Sequence, residues 1–184
     1  MKHTLYDIPF SRIDGSATSL AAYRGQVLLL VNVASACGLT PQYEGLERLF
    51  TEKQAEGLMV IGFPANDFGA QEPGTNQEIV EFCSMKFGVK FPLAEKIAVR
   101  GAQQHALYAC LTAAQPTATE TEPGALRTKL EGHGFKQENA SDVLWNFEKF
   151  LISRSGEVVG RFNPDVTPQD PVLLAAIAHE LHAV

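Results

Sequence analysis

A single cysteine stands between a predicted buried strand and a predicted helix. Cys37 follows an unbroken apolar run that begins at Val27, and such a run is typical of a strand buried on both faces. After it come Thr40, a good N-cap residue, and Pro41, whose φ angle suits the first helical turn. A thiol at a helix start lies near partial positive charge, which favours the thiolate. We therefore expect the chemistry of this chain at Cys37, with burial as a packing cysteine as the alternative.

The other two cysteines, Cys83 and Cys110, lie far from Cys37 and from each other in the sequence. Three widely spaced cysteines make a poor disulfide framework, and no pair has the spacing of a zinc knuckle or of a Cys-x-x-Cys redox motif. We expect reduced thiols at rest. Cys83 lies four residues after Ile79 and four before Phe87, so helical periodicity alone favours a packing role for it. Cys110 is likewise interpreted as a helix-packing residue.

Length and composition predict one domain over residues 1–184, with a cytoplasmic location. The formal charge of −6 argues against nucleic acid and against an anionic membrane as the main partner. No apolar run approaches the roughly 20 residues that span a bilayer, and the N-terminus lacks the apolar core of a secretory signal. No Walker loop or dinucleotide fingerprint is present, and His179 and His182 lack the zincin spacing. We therefore expect no cofactor and no metal.

The elements around Cys37 predict an α/β fold. A turn signal at residues 13–16 indicates a small N-terminal β-hairpin. A strand at about 26–33, a helix at about 41–55 and a second buried strand at 58–63 follow, and this order makes a parallel crossover unit. Residues 64–74 are then predicted to form a long irregular loop.

The middle of the chain is partly helical. The capping-box sequence Thr75–Glu78 opens one helix, and residues 105–111 are predicted to form another short one. From residue 114 to residue 142 the periodicity is lost, and a polar, proline-containing stretch near its start has a composition close to that of disordered segments. We interpret residues 115–142 as an insertion that covers a site, mediates contacts or is mobile.

Two strands and a helix complete the chain. Residues 145–152 are strand-like, a turn follows at 153–156, and residues 157–162 pair back as an antiparallel hairpin. Residues 167–170 cap a last helix. Its predicted inward-facing residues are Leu173, Leu174, Ile177 and Leu181. The order βαβ, helix, ββα, with a cysteine after the first central strand, predicts a thioredoxin-like fold with a mixed central sheet flanked by helices.

Three segments of the chain, residues 32–40, 62–74 and 145–151, resemble the signature blocks of glutathione peroxidases. The blocks occur in the order of that family, and the similarity extends over nearly the whole chain. It is strongest to the cysteine-containing bacterial branch. The resemblance implies a thioredoxin-like fold and a peroxidase activity.

Four site residues follow from the resemblance. Cys37 matches the peroxidatic position, and Gln71, Trp145 and Asn146 match the other members of the family's catalytic tetrad. Two side-chain amides and an indole N–H all offer hydrogen-bond donors. Donors aimed at a sulfur favour its charged form and can hold a peroxide oxygen in line. Taken singly, the three would be interpreted as a loop residue, a core aromatic and a strand-end cap.

A resolving role for Cys83 also follows from the resemblance. Residues 81–92 resemble the resolving-cysteine segment of thioredoxin-dependent family members. This implies a Cys37–Cys83 disulfide during turnover. A disulfide requires the two sulfurs to meet, so the helix at 75–90 must partly unwind if the cysteines start far apart.

Two positions depart from the family pattern. Ala65 stands where many relatives carry another cysteine, which leaves Cys83 as the sole resolving candidate. Asp67 replaces a common glutamine and brings an additional negative charge to the region of the predicted site.

The sequence therefore predicts a thiol peroxidase that reduces hydrogen peroxide and organic hydroperoxides, with Cys37 oxidised to a sulfenic acid and thioredoxin as the reductant. The alternatives are a glutathione-dependent peroxidase without the disulfide, a peroxide-sensing redox relay and a redox-inert thioredoxin-like binding module. We expect a monomer or a weak homo-oligomer without nucleic-acid or membrane partners.

Overall fold

The apolar run that precedes Cys37 is the central strand of the structure, a computed structural model that describes residues 4–183. All seven residues of this strand, Val27–Val33, are buried. It pairs in parallel with Leu58–Pro64 and antiparallel with Lys149–Ile152, and the latter pairs antiparallel with Val158–Phe162. This mixed four-stranded sheet confirms the predicted α/β class and the predicted parallel crossover.

In chain order the strands and helices are β1 (Pro9–Ser11), β2 (Ala17–Ser19), β3 (Val27–Val33), α1 (Gln42–Lys53), β4 (Leu58–Pro64), α2 (Asn76–Phe87), α3 (Ala106–Ala114), α4 (Ala125–Gly132), β5 (Lys149–Ile152), β6 (Val158–Phe162) and α5 (Pro171–His182). The strands of the central sheet run in the order β4-β3-β5-β6. β1 and β2 form a separate antiparallel pair, which is the predicted N-terminal hairpin.

The start of α1 differs from the prediction, because Thr40 is not its N-cap. The helix begins at Gln42, and Pro41 precedes it. The Thr40 hydroxyl instead donates to the carbonyl of Ala34 at 2.8 Å and accepts the N–H of Cys37 at 3.0 Å. These two backbone groups lie beyond the end of β3 and would otherwise be unpaired, so Thr40 stabilises the turn that carries the cysteine.

Two predicted packing residues are exposed. Leu174 was expected to face inward, but 38 % of it is exposed, whereas its neighbour Leu173 is buried. Adjacent helical residues point about 100° apart, so a single buried stripe cannot hold both. Cys110 is exposed as well, because it lies outside the buried stripe of α3, which consists of Leu107, Tyr108, Leu111 and Thr112. The prediction of a packing role for Cys110 is therefore wrong.

The stretch from 115 to 142 is not irregular throughout, since it contains helix α4. Arg161 of β6 holds the two ends of this stretch in place. The buried guanidinium donates to three backbone carbonyls near the two ends of the stretch, those of Gln115, Ser141 and Asp142, each at 2.9 Å. These partners lie 19 to 46 residues from Arg161, so local composition could not reveal them.

The strand predicted over 145–152 begins only at Lys149. Phe147 has a φ of +68°, in the left-handed region, which extended pairing does not allow. Its fully buried ring nevertheless packs against Tyr43, with the ring centroids 5.4 Å apart. Trp145 and Asn146 therefore lie in a loop at the end of the sheet.

The prediction for α2 is confirmed at its N-terminus. Thr75 and Glu78 form the capping box, with the Thr75 hydroxyl accepting the N–H of Glu78 at 3.2 Å and the Glu78 carboxylate accepting the N–H of Thr75 at 2.7 Å. Ile79 and Cys83 are its buried residues. Within residues 4–183 no helix has the length and apolar character needed to cross a bilayer.

Candidate active site

Cys37 lies in the turn between β3 and α1, where its side chain is nearly buried with 9 % exposed. The backbone N–H of Leu39 donates to its Sγ at 3.3 Å. The Cys37 N–H is itself bonded to the Thr40 hydroxyl, so the turn is held on both sides of the sulfur. An N–H aimed at a sulfur favours negative charge on it.

Gln71 reaches the same place from the loop that follows β4. Its backbone carbonyl accepts the N–H of Ala36 at 3.0 Å, which joins this loop to the cysteine turn. The preceding residue, Ala70, has a φ of +53°. A left-handed alanine is strained, and such strain is concentrated at functional sites.

Trp145 and Asn146 come from the loop that precedes β5, and Asn32 of β3 anchors that loop. The fully buried Asn32 side chain donates its Nδ2–H to the carbonyl of Trp145 at 3.0 Å, and the Asn32 carbonyl accepts the N–H of Phe147 at 2.6 Å. Asn146 then donates from Nδ2 to Oε1 of Gln71 at 2.8 Å. The loops after β4 and before β5 are thus connected through these two amide side chains.

Ala70 and Phe147 are the two non-glycine residues with left-handed φ in the part of the chain that the structure describes. Ala70 directly precedes Gln71, and Phe147 directly follows Asn146. Backbone strain is retained only where surrounding contacts impose it, and it recurs at active sites. Because this strain lies beside two predicted site residues, it supports a functional site in this region.

A cavity of about 420 Å³ opens over Cys37. Gln71 and Trp145 line it together with the sulfur. The indole of Trp145 packs between Phe68 and Phe135, with ring centroids 5.4 and 4.7 Å from its own. Asn146 is fully buried behind Gln71 and does not line the cavity.

The structure therefore brings together Cys37, Gln71, Trp145 and Asn146. The last three differ in how closely they approach the sulfur of Cys37. Among residues 4–183 the hydrogen bond to Sγ comes from the N–H of Leu39, and Gln71 and Trp145 share the cavity without bonding to the sulfur. Asn146 contacts Gln71. This arrangement has polar donors on one side of a nearly buried thiol and open space in front of it.

Cys83 lies on the buried side of α2, with 1 % of it exposed, and both it and Cys37 are free thiols. Burial raises the pKa of the Cys83 thiol to about 11, and the nearby Glu72 carboxylate adds to this, while the Tyr43 hydroxyl beside it acts in the opposite direction. Cys83 is therefore a protonated, shielded thiol in this structure.

The two departures from the family pattern have defined surroundings. Asp67 accepts the N–H of Val99 at 2.7 Å through Oδ2, and burial raises the pKa of its carboxyl. Its carboxylate is thus engaged by the backbone of the segment before α3. Ala65 is fully buried and donates its N–H to the carbonyl of Val33 at 3.1 Å.

Several residues of the site were not found in the sequence. Asn32 carried a signal, because it is a polar residue inside an apolar strand. The cavity residues that come from α4 and the turn after it carried no such signal in the sequence, because the stretch that contains them was interpreted as irregular. Its lining residues are Leu126, Lys129, Leu130, His133 and Phe135. Among the described residues no group of three or more histidine, cysteine and carboxylate side chains could hold a metal ion.

Comparison with known proteins gives concordant results. A profile of the family described as "Glutathione peroxidase" matches residues 5–112. The chain is 48 % identical over 165 residues to the thioredoxin/glutathione peroxidase BtuE of Escherichia coli strain K12, covering 90 % of each chain. It is 43 % identical over 168 residues to the hydroperoxy fatty acid reductase gpx1 of a Synechocystis strain, covering 91 % of each.

A solved structure agrees with the fold. The crystal structure of T. cruzi GPX1 superposes with a TM-score of 0.69 at 28 % identity, covering 97 % of each chain. The match extends across the central sheet and the helices that flank it, as expected for a thioredoxin-like arrangement.

Proposed function

This chain belongs to the glutathione peroxidase family, and on that premise we propose that it is a thiol peroxidase with Cys37 as the reactive residue. One observation carries the proposal: the nearly buried Cys37 sulfur accepts the Leu39 N–H inside a cavity that Gln71 and Trp145 also line. A thiolate held there faces space that a hydroperoxide can enter.

In the first step the Cys37 thiolate attacks the terminal oxygen of the hydroperoxide. The O–O bond breaks, the leaving oxygen takes up a proton, and the products are the Cys37 sulfenic acid and water or an alcohol. The amide of Gln71 and the indole of Trp145 are proposed to donate to the sulfur and to the reacting oxygens. Asn146 is proposed to orient Gln71 through the hydrogen bond between their amides.

In the second step the Cys83 thiol condenses with the sulfenic acid, which releases water and forms a Cys37–Cys83 disulfide. Both sulfurs are free in the described structure, and Cys83 is buried on α2. We propose that the C-terminal part of α2 opens to bring Cys83 out. An external dithiol then reduces the disulfide by thiol exchange.

Thioredoxin is the proposed reductant, because an internal disulfide is a substrate for a dithiol protein. The relative from E. coli carries both thioredoxin and glutathione in its name, so glutathione is the competing reductant. Three reduced thiols and the absence of a disulfide framework fit a cytoplasmic location.

The test is a reductant panel on the wild type and three serine variants. Cys37→Ser should abolish peroxide consumption. Cys83→Ser should abolish turnover with thioredoxin while sparing the stoichiometric oxidation of Cys37. Cys110→Ser is the matched control, because Cys110 is exposed, and it should behave as the wild type.

The same panel separates the alternatives. Turnover with glutathione that survives Cys83→Ser identifies a glutathione-dependent enzyme. Fast oxidation of Cys37 with slow turnover by every reductant, together with a trapped mixed disulfide to a client, identifies a redox relay. A Cys37 that reacts with hydrogen peroxide no faster than free cysteine contradicts the proposal altogether.

A further inference from the structure

Glu72 is a buried carboxyl group that the chemistry described so far does not use. Only 1 % of it is exposed, and its Oε2 is buried without a hydrogen-bond partner among residues 4–183. Leaving a buried carboxylate oxygen without a donor costs free energy, so such a group in a folded protein requires an explanation. A role in proton transfer is one that uses the unpartnered oxygen.

The backbone at Glu72 is held beside the turn that carries Cys37. The preceding residue, Gln71, accepts the N–H of Ala36 at its carbonyl at 3.0 Å, and Ala36 directly precedes Cys37. The N–H of Glu72 itself donates to Oδ1 of Asn66 at 2.9 Å. Glu72 therefore keeps a fixed position next to the cysteine turn.

Helix α2 lies on the other side of the same carboxyl group. A cavity of about 600 Å³ is lined by Glu72, by Ala36 of the cysteine turn and by Phe82 of α2. Cys83 directly follows Phe82, and its buried thiol lies close enough for the Glu72 carboxylate to raise its pKa. Glu72 is thus next to the segments of both sulfurs, and the proposed movement of Cys83 takes place beside it.

Cys83 requires a proton acceptor before it can react. Burial raises the pKa of its thiol to about 11, so at pH 7 only about one molecule in ten thousand carries the thiolate. The thiolate is the nucleophile when a disulfide forms. A neighbouring carboxylate opposes a standing negative charge on Cys83, but this repulsion ends as soon as the carboxylate takes up the proton of the thiol.

The surroundings of Glu72 favour this role. Burial raises the pKa of its carboxyl, while the Ser35 hydroxyl and the Lys96 ammonium act in the opposite direction. A carboxylate of raised pKa is a better proton acceptor than an exposed one. The titratable and charged side chains near Glu72 and Cys83 or around the cavity are Tyr43 of α1, Glu78, Glu81 and Lys86 of α2, and Lys96.

We propose that Glu72 is the general base of the second step and accepts the proton of Cys83 while Cys83 attacks the sulfenic acid of Cys37. The S–S bond forms, the S–O bond breaks, and the leaving hydroxide takes the proton from Glu72 and departs as water. The carboxylate is regenerated, and no further reactant is needed. The inference rests on the proposed function and adds a catalytic residue to its second step.

The experiment measures the two steps separately in the full chain without any reductant. One equivalent of hydrogen peroxide is added to the reduced protein, and mass spectrometry of quenched, alkylated samples follows the sulfenic acid and the disulfide. Glu72→Gln keeps the shape of the side chain and removes the base. We expect the rate constant for disulfide formation at pH 7 to fall about a hundredfold, and this loss to be confined to the second step.

Glu81→Gln is the matched control, because Glu81 lines the same cavity from α2 but is exposed. It should form the disulfide at the rate of the wild type. Two further readouts distinguish a base from a structural residue. Acetate, but not chloride at equal ionic strength, should restore disulfide formation in Glu72→Ala. Raising the pH should bring Glu72→Gln closer to the wild type, because Cys83 then ionises without a base.

A Glu72→Gln variant that forms the disulfide as fast as the wild type overturns the inference. Loss of both steps by the same factor also overturns it, as does a Glu72→Ala variant that acetate does not restore, because Glu72 then acts through the structure alone. If the wild type forms no Cys37–Cys83 disulfide, the proposed second step itself fails, which is a different result from a disulfide that forms without Glu72.

Discussion

At the scale of single residues, the hydrogen bond between Asn146 and Gln71 decides what the site offers to the sulfur. Oε1 of Gln71 accepts from Nδ2 of Asn146 at 2.8 Å, so the acceptor end of the Gln71 amide faces the buried side. The amide nitrogen is then left for the cavity over Cys37. Because Asn146 does not line that cavity, its proposed contribution is indirect.

A double-mutant cycle tests this relation. Asn146→Ala should free the Gln71 amide to rotate and should lower the rate constant for oxidation of Cys37 by about tenfold, which corresponds to the net contribution of one hydrogen bond of about 1.4 kcal/mol. Gln71→Ala should have a similar effect, and the double variant should be no slower than Gln71→Ala alone. The measurement is stopped-flow oxidation by hydrogen peroxide. Effects that multiply instead would mean that Asn146 acts independently of Gln71.

At the scale of the element, helix α2 has to satisfy two opposing requirements. In the described structure it buries Cys83, and in the proposed second step it has to release it. Its N-terminus is held by the capping box of Thr75 and Glu78. Its C-terminus ends at Gly88, which has a φ of +61° and donates its N–H to the carbonyl of Ser84. The C-terminal end depends on one residue that tolerates left-handed backbone.

Gly88→Ala should therefore speed the formation of the Cys37–Cys83 disulfide. A Cβ at this position meets nothing within 4 Å, so the cost is conformational, about 1 kcal/mol in the left-handed region. If opening of α2 precedes the reaction, the rate of disulfide formation should rise about fivefold. Quenched samples analysed by mass spectrometry measure it.

Gly101→Ala is the matched control for this prediction. Gly101 has a φ of +76° and equally open space around its Cβ, but it lies outside α2. It should lower the stability of the protein by a similar amount without changing the rate of disulfide formation. Equal acceleration by the two variants would show that global unfolding, and not the end of α2, controls the step.

At the scale of the whole molecule, charged groups in the core connect the sheet to the segments around the site. Glu148 is fully buried, bonded to Arg161 and accepts the N–H of Leu144 at 2.7 Å. Lys149 is fully buried as well and donates to Oε1 of Gln42 at 2.7 Å and to the carbonyl of Pro164 at 3.1 Å. Such a network specifies one arrangement of these segments at a cost in desolvation.

Lys149 makes the stability of the protein depend on pH. Burial lowers the pKa of Lys149 to about 7, from 10.5 for the ordinary side chain. Between these values the unfolded chain holds a proton that the folded protein has lost, so the contribution of Lys149 to the free energy of unfolding rises with pH. At pH 7 and below, burial of the Lys149 ammonium lowers the free energy of unfolding by nearly its full amount.

Lys149→Met should therefore gain stability relative to the wild type at pH 7 and lose that gain as the pH rises. The change in the difference between the two proteins should be on the order of 2 kcal/mol between pH 7 and pH 9. Denaturant unfolding at a series of pH values, with a reducing agent present, measures it. Parallel pH profiles would mean that Lys149 keeps its ordinary pKa in the fold.

The local pattern of the sequence determined the elements around the site and the residue at its centre. The apolar run to Val33 predicts the central strand, and Cys37 is singled out by its position between this strand and the next helix. The capping box at Thr75 is likewise a local signal, readable within four residues. Short-range periodicity and capping depend on neighbours in the chain, so these predictions do not require the tertiary structure.

Only the tertiary structure decided what surrounds Cys37. The hydrogen bond from Asn146 to Gln71 joins residues 75 positions apart, and the bond from Asn32 to Trp145 spans 113. Helix α4 lies in a stretch of weak local pattern, and Arg161 ties the ends of that stretch to the sheet. Contacts of such range leave no periodic signal in the sequence, because burial and partners at these positions are set by the packed core and not by neighbouring residues.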